Sequence, residues 1–542
     1  MDIRRRKAVA PRQTGRGKRA LLHATLLEAV RCHQTGRLSE AAELYDRILK
    51  ADPKHPDALH LRGLVADQQG DHERALALVR KAIGFAPGNA AYRNTLGNVL
   101  LALDNAEHAE ASFRRAVDLD PGLAEAHNNL GNALLRLDRA DEAVGCYRRA
   151  LEIRPGYAEA HCNLGSALRK QGRLEQAQAC YEKALAINPE YVTALSNLGQ
   201  TLHERALYRD ALASLDKAVS LDPAHADAHA NRAVLLLLFG RFAEGWAEYE
   251  WRWKVAGFTT ERRDFPQPRW DGSDLDERTI LLHAEQGLGS AIQFVRYAPL
   301  VAARKGTVVV ECQKPLLRLF SGLTIGEAPP VARVVARGDA LPHFDVQAPL
   351  MSLPALLGTE IDSIPRKTPY LAAEPDAYAA WRDRLGPFPG PRVGLAWAGN
   401  PRHVNDHTRS MPASCLRPLL RAGGATFFSL QMGSAAKDLD ELAGGAVHDL
   451  SPEIDDFADT AAIIANLDLV ISVDTAVAHL AGALGRPVWL LLPFVGEWRW
   501  LLDREDSPWY PTMRLFRQKA PGDWSGVVER VAEALPKVAE IR

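Results

Sequence analysis

Three side chains capable of chemistry follow a short hydrophobic run near the C-terminus of this 542-residue chain. The run Ile471–Val473 predicts the end of a buried strand, and Asp474, Thr475 and His479 come after it. One turn of a helix would bring Thr475 and His479 to the same face. Because helix N-termini bind phosphates, the spacing predicts an anion site. The alternative is a helix that Asp474 caps, with no further role.

The residues that follow predict how this cluster is held. Ala481 and Gly482 are small enough for a helix to pack closely on a sheet, and Pro487 ends the connection before a strand at Val488–Leu492. Ile471–Pro493 therefore predicts strand, turn, helix and strand. Open α/β sheets bind ligands at the carboxyl ends of their strands, which is where the cluster would lie.

A second polar cluster follows the predicted strand Arg392–Ala398. It comprises Gly399, Asn400, Asn405, Asp406, Arg409 and Ser410. Arg409 is suited to be a fixed cation for a pyrophosphate leaving group, and the alternative is a surface salt bridge. Asp455–Asp456 precedes a predicted helix and is expected to cap it. We therefore expect protein cations, with no bound metal, to stabilise the leaving group.

A third cluster, Glu285–Ser290, reads EQGLGS between a predicted strand and a predicted helix at Ala291–Ala303. Its glycines predict a tight turn that exposes N–H groups at the start of the helix. Glu285 and Ser290 are the candidate catalytic side chains here. The alternative for Ser290 is a helix N-cap.

The second half of the chain alternates short β-branched runs with helical patterns, which is typical of parallel sheets. A break near Pro387–Pro391 divides it into two α/β pieces. The predicted strands are Thr279–Ala284, Thr307–Cys312, Ala332–Ala336, Arg392–Ala398, Thr426–Leu430, Leu467–Val473, Val488–Leu492 and Met513–Phe516.

The first half repeats itself every 34 residues. Prolines keep this step at Pro53, Pro87, Pro121, Pro155, Pro189 and Pro223. Glycines and alanines follow the same period, and each unit predicts two amphipathic helices such as Ala124–Arg136 and Ala140–Ile153. The pattern resembles the tetratricopeptide repeat. One helix pair cannot bury its apolar face alone, so the units must stack into a solenoid.

Asparagines recur in the first helices of the repeats. The main row is Asn129, Asn163, Asn197 and Asn231, and a shorter row begins with Asn98 and Asn132. An asparagine amide both donates and accepts hydrogen bonds, which suits an extended peptide of any sequence. The rows resemble the asparagine ladder of protein O-GlcNAc transferases, and this resemblance implies peptide binding. The alternative is a set of polar consensus residues on a solvated face.

Composition restricts the class of protein. A hydrophobic fraction of 47%, 25% charged residues and a formal net charge of −1 are ordinary for a globular chain and predict neither nucleic acid binding nor stable membrane insertion. Six scattered cysteines without a CxxC pair indicate a reducing compartment. We expect a cytoplasmic protein without a bound cofactor.

Three stretches of the second half resemble bacterial proteins related to glycosyltransferase family 9, the heptosyltransferase-like group. They are RVGLAWAGNPRHVNDHTRSMP, DFADTAAIIANLDLVISVDTAVAHLAGALG and WRWLLDREDSPWYPTMRLFRQ. The variety fused to tetratricopeptide repeats resembles nearly the whole chain. The resemblance implies two facing α/β domains of the GT-B type and a donor substrate that is a nucleotide diphosphate sugar.

The resemblance also implies roles for single residues. Heptosyltransferases bind the donor diphosphate with D-T-G-x-x-H, which here covers Asp474, Thr475, Ala476 and His479, with Ala476 in place of glycine. It implies further donor contacts from the residues Asn400, Arg409, Ser410 and Gln431. Family relatives carry an aspartate as candidate base where this chain has Ser290. Glu285 or another carboxylate would then act as the base, or the acceptor needs little activation, or the domain is catalytically weak.

These patterns predict five segments. A basic, disordered tail is expected over 1–21, about seven repeats over 22–259, and a linker over 260–277. An acceptor-side α/β domain over 278–388 and a donor-side α/β domain over 389–542 would follow. The predicted fold is an α-solenoid followed by a GT-B-like pair of Rossmann-type domains.

The leading functional hypothesis is an inverting, metal-independent glycosyltransferase whose repeats hold a protein acceptor. The alternative is a non-catalytic scaffold, in which the repeats bind partners and a degenerate transferase domain binds only nucleotide.

Overall fold

A computed structural model describes residues 15–258, 260, 262–323, 331–403, 405–442 and 446–536. Internal contacts divide the chain into two compact units, Met1–Thr201 and Leu202–Arg542. The predicted end of the array at residue 259 therefore lies inside the second unit, together with the α/β part. The predicted tail over residues 1–14 falls outside the described residues.

The repeats form antiparallel helix pairs, as the period predicts. The helices are α1 (Gly15–Gln34), α2 (Leu38–Ala51), α3 (Pro56–Gln68), α4 (His72–Phe85), α5 (Ala90–Ala102), α6 (Ala106–Leu119), α7 (Ala124–Arg136), α8 (Ala140–Ile153), α9 (Ala158–Lys170), α10 (Leu174–Ile187), α11 (Val192–Glu204), α12 (Tyr208–Leu221), α13 (Ala226–Leu238) and α14 (Phe242–Tyr249). Helix α1 begins inside the segment expected to be a disordered tail, because Arg, Lys, Ala and Leu favour helix.

The periodic glycines let each helix pair close on an aromatic ring. A Cβ atom at Gly97 would lie 2.4 Å from the Phe113 ring, and one at Gly165 would lie 2.7 Å from Cε1 of Tyr181. Both rings are fully buried. Glycine and ring are thus two halves of one contact, which explains why both keep the same period.

The first α/β part is built on a four-stranded parallel sheet. Its elements are β1 (Thr279–His283), α15 (Leu288–Phe294), α16 (Ala298–Ala302), β2 (Thr307–Cys312), α17 (Leu317–Ser321), β3 (Arg333–Ala336), β4 (Val346–Pro349), α18 (Leu353–Leu356) and α19 (Pro375–Leu385). The strand order is β3-β2-β1-β4. The single helix expected over Ala291–Ala303 begins earlier, at Leu288, and a short 3₁₀ turn divides it.

The second α/β part is built on a six-stranded parallel sheet. Its elements are β5 (Arg392–Ala396), α20 (Asp406–Arg409), α21 (Arg417–Ala422), β6 (Thr426–Ser429), β7 (Val447–Asp449), α22 (Phe457–Ala465), β8 (Leu469–Val473), α23 (Ala476–Ala483), β9 (Val488–Leu492), β10 (Met513–Arg517) and α24 (Trp524–Ala534). The strand order is β10-β9-β8-β5-β6-β7.

Both sheets follow the doubly wound order, in which the first strand lies beside the second on one side and the fourth on the other. The predicted pair of Rossmann-type sheets is confirmed. The structure adds β4 and β7 to the eight predicted strands. Both are three or four residues long and contain Pro, His, Asp or Gln, so they lack the β-branched run that marked the others.

An aromatic cluster in the second compact unit joins the last repeat helix to the α/β part. Trp246 on α14 is buried and its ring lies 5.3 Å from that of Trp498 and 6.4 Å from that of Phe294, between centroids. Phe242 stacks on Trp509 at 6.2 Å. The aromatic segment Gly245–Trp253 therefore packs the end of the repeats against the α/β part.

No helix in the described residues is both long and apolar enough to cross a membrane.

Two glycines of neighbouring repeats provide a test of the packing. Gly165→Ala should lower the free energy of unfolding by about 1–3 kcal/mol, because its methyl group would overlap the Tyr181 ring. Gly145→Ala, within α8, is the matched control: a Cβ there meets nothing within 4 Å. It should raise the stability by about 0.5–1 kcal/mol through helix propensity. Urea unfolding followed by circular dichroism of the full chain measures both, and an equal loss in the two variants would contradict this packing.

Candidate functional site

The predicted clusters meet where the order of the second sheet reverses. Strands β5 and β8 are neighbours there, so the loop after Ala396 and the turn at Asp474 leave the sheet side by side. In doubly wound sheets this crevice at the carboxyl ends of the strands is the usual ligand site.

Helix α23 starts at the crevice without a side-chain cap. Thr475 is its N-cap residue, and the Thr475 hydroxyl lies 3.1 Å from that of Ser472. Asp474 does not cap the helix, so that alternative is wrong: its Oδ2 accepts a hydrogen bond from the indole Nε1 of Trp500 at 3.0 Å. The first N–H groups of the helix, those of Ala476 and Val477, lack a preceding helical carbonyl and lie on its half-buried end.

His479 lies beneath this helix start and is only 5% exposed. Its Nδ1 is 3.0 Å from the hydroxyl of Tyr510, its Nε2 is 3.8 Å from Oδ1 of Asp474, and its ring stacks on Trp500. Burial, followed by the nearby cations Arg499, Arg296 and Arg409, lowers the pKa of His479 well below its usual value. The imidazole is therefore neutral near pH 7 and holds the Asp474 turn in place.

The loop after β5 presents a partly exposed guanidinium. Asp406 Oδ1 accepts hydrogen bonds from the Ser410 hydroxyl at 2.9 Å and from Arg409 Nε at 3.4 Å. The Ser410 hydroxyl in turn accepts the N–H of Gly399 at 2.8 Å. A Cβ at Gly399 would lie 2.8 Å from Arg409 Nη2, so glycine leaves the space that the cation occupies. Arg409 is thereby fixed at the crevice, and its side chain is 21% exposed.

Two other predicted donor contacts have local partners. Gln431 is 4% exposed, and its Oε1 accepts the backbone N–H groups of Trp397 and Ala398, while its Nε2 donates to the carbonyls of Ala398 and Met432. It ties the end of β6 to the end of β5. Asn400 is exposed and closes a turn, accepting the N–H of Arg402 at 3.0 Å.

The loop after β1 reaches the same site. Gly287, and not Ser290, is the N-cap of α15, so the capping alternative for Ser290 is wrong. Ser290 lies in the first turn of α15. A Cβ at Gly289 would lie 2.9 Å from Cδ2 of His479, so the two α/β parts touch here. The three predicted clusters therefore form one site.

Glu285 lies behind the site rather than in it. It is 1% exposed, and both of its carboxylate oxygens accept hydrogen bonds from Arg252, at 2.8 and 3.3 Å. Burial raises the pKa of Glu285 above its ordinary value, and Arg252 opposes that rise. In this arrangement the carboxylate has no open side from which to take a proton from an acceptor.

Arg499 is the residue that the sequence reasoning missed. Its Nε donates to Gln293 Oε1 at 2.7 Å, its Nη1 to Glu497 Oε1 at 2.5 Å and its Nη2 to the Ser290 hydroxyl at 3.0 Å. It thus links α15 of the first α/β part to the segment after β9 of the second. The segment GEWRW contained a signal. Its charged residues Glu497 and Arg499 stand among a glycine and two tryptophans, shortly after the predicted strand Val488–Leu492.

The side-chain amides of the asparagine row form hydrogen bonds between neighbouring repeats. Each of three members donates through Nδ2 to a side chain 35 positions earlier, Asn129 to Asn94, Asn163 to Asn128 and Asn197 to Cys162. Asn132 accepts from the Tyr147 hydroxyl at 2.7 Å, Asn98 is exposed and Asn231 is half-buried. These bonds orient the amides of the row.

Within the described residues, no group of three or more His, Cys, Asp or Glu side chains is placed to hold a metal ion.

Family models match both halves of the chain. Tetratricopeptide repeat models match residues 34–90, 90–123, 122–190, 157–224 and 204–250, and the glycosyltransferase family 9 (heptosyltransferase) model matches residues 432–491, which include the Asp474–His479 turn. Repeat models thus match the first half of the chain, and the family 9 model matches part of the second α/β part. This fusion agrees with the resemblance found in the sequence.

A curated relative of this fusion is Protein FlbA of Caulobacter vibrioides, 30% identical over 328 residues that cover 56% of this chain and 54% of FlbA. An FK506-binding protein-like protein of Rattus norvegicus is 34% identical over 88 residues, covering 16% of this chain and 24% of that protein. The chain thus spans about half of FlbA and about a quarter of the second relative.

Solved structures of repeat proteins align with part of the fusion. The APC/C hetero-tetramer Cut9-Hcn1 is 17% identical with a TM-score of 0.38, covering 40% of this chain and 43% of that chain. Pseudomonas aeruginosa PilF is 18% identical with a TM-score of 0.36, covering 40% of this chain and 99% of that chain.

The site predicts an effect of Arg409 on anion binding. Arg409→Ala should weaken binding of a nucleoside diphosphate by about 10- to 100-fold, since a hydrogen bond to a charged group is worth about 1.5–3 kcal/mol. Arg402→Ala removes an exposed guanidinium from the same loop and is the matched control. Isothermal titration calorimetry with UDP, GDP and ADP measures both, and equal affinities for the two variants would refute the role of Arg409.

Proposed function

We propose that this chain is an inverting, metal-independent glycosyltransferase that moves a sugar from a nucleotide sugar to a protein held by its repeats. The observation that carries the proposal is the convergence of Arg409, the start of α23 and the β1 loop at the switch point of a doubly wound sheet. We further propose that the protein acts in the cytoplasm.

The donor half of the proposal rests on charge and hydrogen-bond donors. A diphosphate at the crevice would accept hydrogen bonds from the N–H groups at the start of α23, next to Thr475, and from the guanidinium of Arg409. These hydrogen-bond donors and this cation favour an anionic ligand such as a diphosphate.

In the proposed reaction an acceptor hydroxyl attacks the anomeric carbon of the donor. The new bond forms between the acceptor oxygen and that carbon, and the bond from the carbon to the phosphate oxygen breaks. The nucleoside diphosphate leaves with the electron pair. Fixed cations would stabilise the charge that develops on it, which is the role proposed for Arg409.

The acceptor half rests on the repeats. Asparagine amides that are held in register along successive repeats suit a main chain of any sequence. Tetratricopeptide repeats and a glycosyltransferase domain in one chain would bring a bound polypeptide and a sugar donor together.

Two observations favour the non-catalytic scaffold as a second candidate. Ser290 offers no carboxylate, and Glu285 is buried against Arg252. A scaffold of this kind would bind nucleotide at the crevice and transfer no sugar.

Removing the first compact unit tests the delivery role. A chain that lacks residues 15–201 keeps Trp246 and its aromatic contacts, so nucleoside diphosphate binding should stay within about twofold of the full chain. Protein modification should fall to background, because three of the four asparagines of the main row, Asn129, Asn163 and Asn197, are lost. Intact-protein mass spectrometry of extracts from cells with each form measures the product, and equal modification by the short form would remove delivery from the proposal.

Sugar transfer should persist when divalent metal is removed. The proposed electrostatic partners of the leaving group are Arg409 and the N–H groups of α23, and neither is lost to a chelator. The rate with a nucleotide sugar should therefore change by less than about twofold in EDTA. Loss of activity that magnesium or manganese restores would exclude the metal-independent mechanism.

A further inference from the structure

We infer that Glu497 is the carboxylate that accepts the proton of the acceptor hydroxyl, because Ser290 has no carboxylate with which to do so. The inference rests on the proposed glycosyltransferase function and adds to it a residue with a defined role.

The carboxylates around the site differ in how far their side chains are exposed. The side chain of Glu285 is 0% exposed, that of Asp474 is 15% exposed and that of Asp406 is 17% exposed, while that of Glu497 is 30% exposed. Among these four, Glu497 presents the largest accessible surface. A general base must be reached by its substrate, so accessibility favours Glu497.

Glu497 also lies at the junction of the two α/β parts. Arg499 holds Glu497 Oε1 through Nη1 at 2.5 Å and holds the Ser290 hydroxyl through Nη2 at 3.0 Å. One planar guanidinium therefore places the carboxylate beside Ser290, where the first α/β part meets the second. Asp474 lies close enough to interact with the carboxylate electrostatically.

The carboxylate of Glu497 is held through both of its oxygens. Glu497 Oε2 accepts the backbone N–H of Arg499 at 2.8 Å, so both oxygens are oriented by one residue. The preceding N–H, that of Gly496, donates to the hydroxyl of Tyr208 on α12 at 2.7 Å. Helix α12, which belongs to the same compact unit, thus anchors the segment that carries the carboxylate.

The surroundings of Glu497 increase its affinity for a proton. Burial raises the pKa of Glu497 above its ordinary value, and Asp474 adds to the rise while Arg499 opposes it. A higher pKa makes a carboxylate a better proton acceptor.

The step balances without a further reactant. The acceptor O–H bond breaks, its proton goes to a Glu497 oxygen, and the oxygen electron pair forms the bond to the anomeric carbon. The bond between that carbon and the leaving phosphate oxygen breaks, and the nucleoside diphosphate takes that electron pair. Glu497 returns its proton to water after the product leaves.

The test compares Glu497→Gln with Glu505→Gln in the full chain. Gln keeps the shape of Glu497 and one hydrogen bond to Arg499 but cannot take a proton. Glu505 is an exposed glutamate of the same region, paired with Arg514 on the surface, and serves as the matched control. The probes are UDP-, GDP-, ADP- and dTDP-sugars with proteins from a cell extract that lacks this chain, and transfer is measured by intact mass and nucleotide release.

We expect Glu497→Gln to lower kcat by about 10²- to 10⁴-fold, to leave the affinity for UDP, GDP or ADP within about twofold, and to abolish the acidic limb of the pH–rate profile. Sodium formate should partly rescue Glu497→Gly, because a small carboxylate can enter the vacated space. Glu505→Gln should match the wild type. If Glu497→Gln keeps both kcat and the acidic limb, the inference is overturned.

Two further outcomes are distinct from that one. A loss of activity together with a loss of nucleotide binding, without rescue by formate, would assign Glu497 a purely structural role and overturn the inference. Failure of the wild-type chain to transfer sugar from any probe would overturn the proposed function and the inference with it.

Discussion

The guanidinium of Arg499 is the contact on which the site depends. Its side chain is 12% exposed, and its hydrogen bonds reach Ser290 and Gln293 on one α/β part and Glu497 on the other. A buried cation must keep its partners, since loss of one partner from such a pair costs about 3–5 kcal/mol. This requirement fixes how α15 faces the segment after β9.

The other contacts of the site reinforce this junction. Gly289 lies against the ring of His479, and that ring lies against Trp500, whose indole holds Asp474. A neutral imidazole is the form that such a buried stack tolerates, because a charged one would face three arginines. The crevice therefore presents the first N–H groups of α23 and the Arg409 guanidinium, which are the groups that would bind a diphosphate.

Much of the fold could be predicted from the sequence because it repeats or alternates. The 34-residue period marked the helix pairs, and β-branched runs marked eight of the ten strands described. The strands that were missed, Val346–Pro349 and Val447–Asp449, owe their place to neighbouring strands rather than to their own composition.

The site was harder to predict, for a physical reason. Asp474, Arg409 and the Glu285–Ser290 loop could be found because each follows a strand. The partners of these residues could not, since the contacts of Glu285 with Arg252 and of Ser290 with Arg499 join residues 33 and 209 positions apart. Local spacing carries no information on such pairs, and a charged residue in an apolar loop was the one available signal.

The central claim is that the start of α23 and Arg409 together bind the diphosphate of a sugar donor. The most direct measurement is a crystal structure of the full chain with UDP, GDP or ADP. The account predicts phosphate oxygens within about 3 Å of the N–H groups of Ala476 or Val477 and of the Arg409 guanidinium. A nucleotide bound away from the carboxyl ends of β5 and β8 would contradict it.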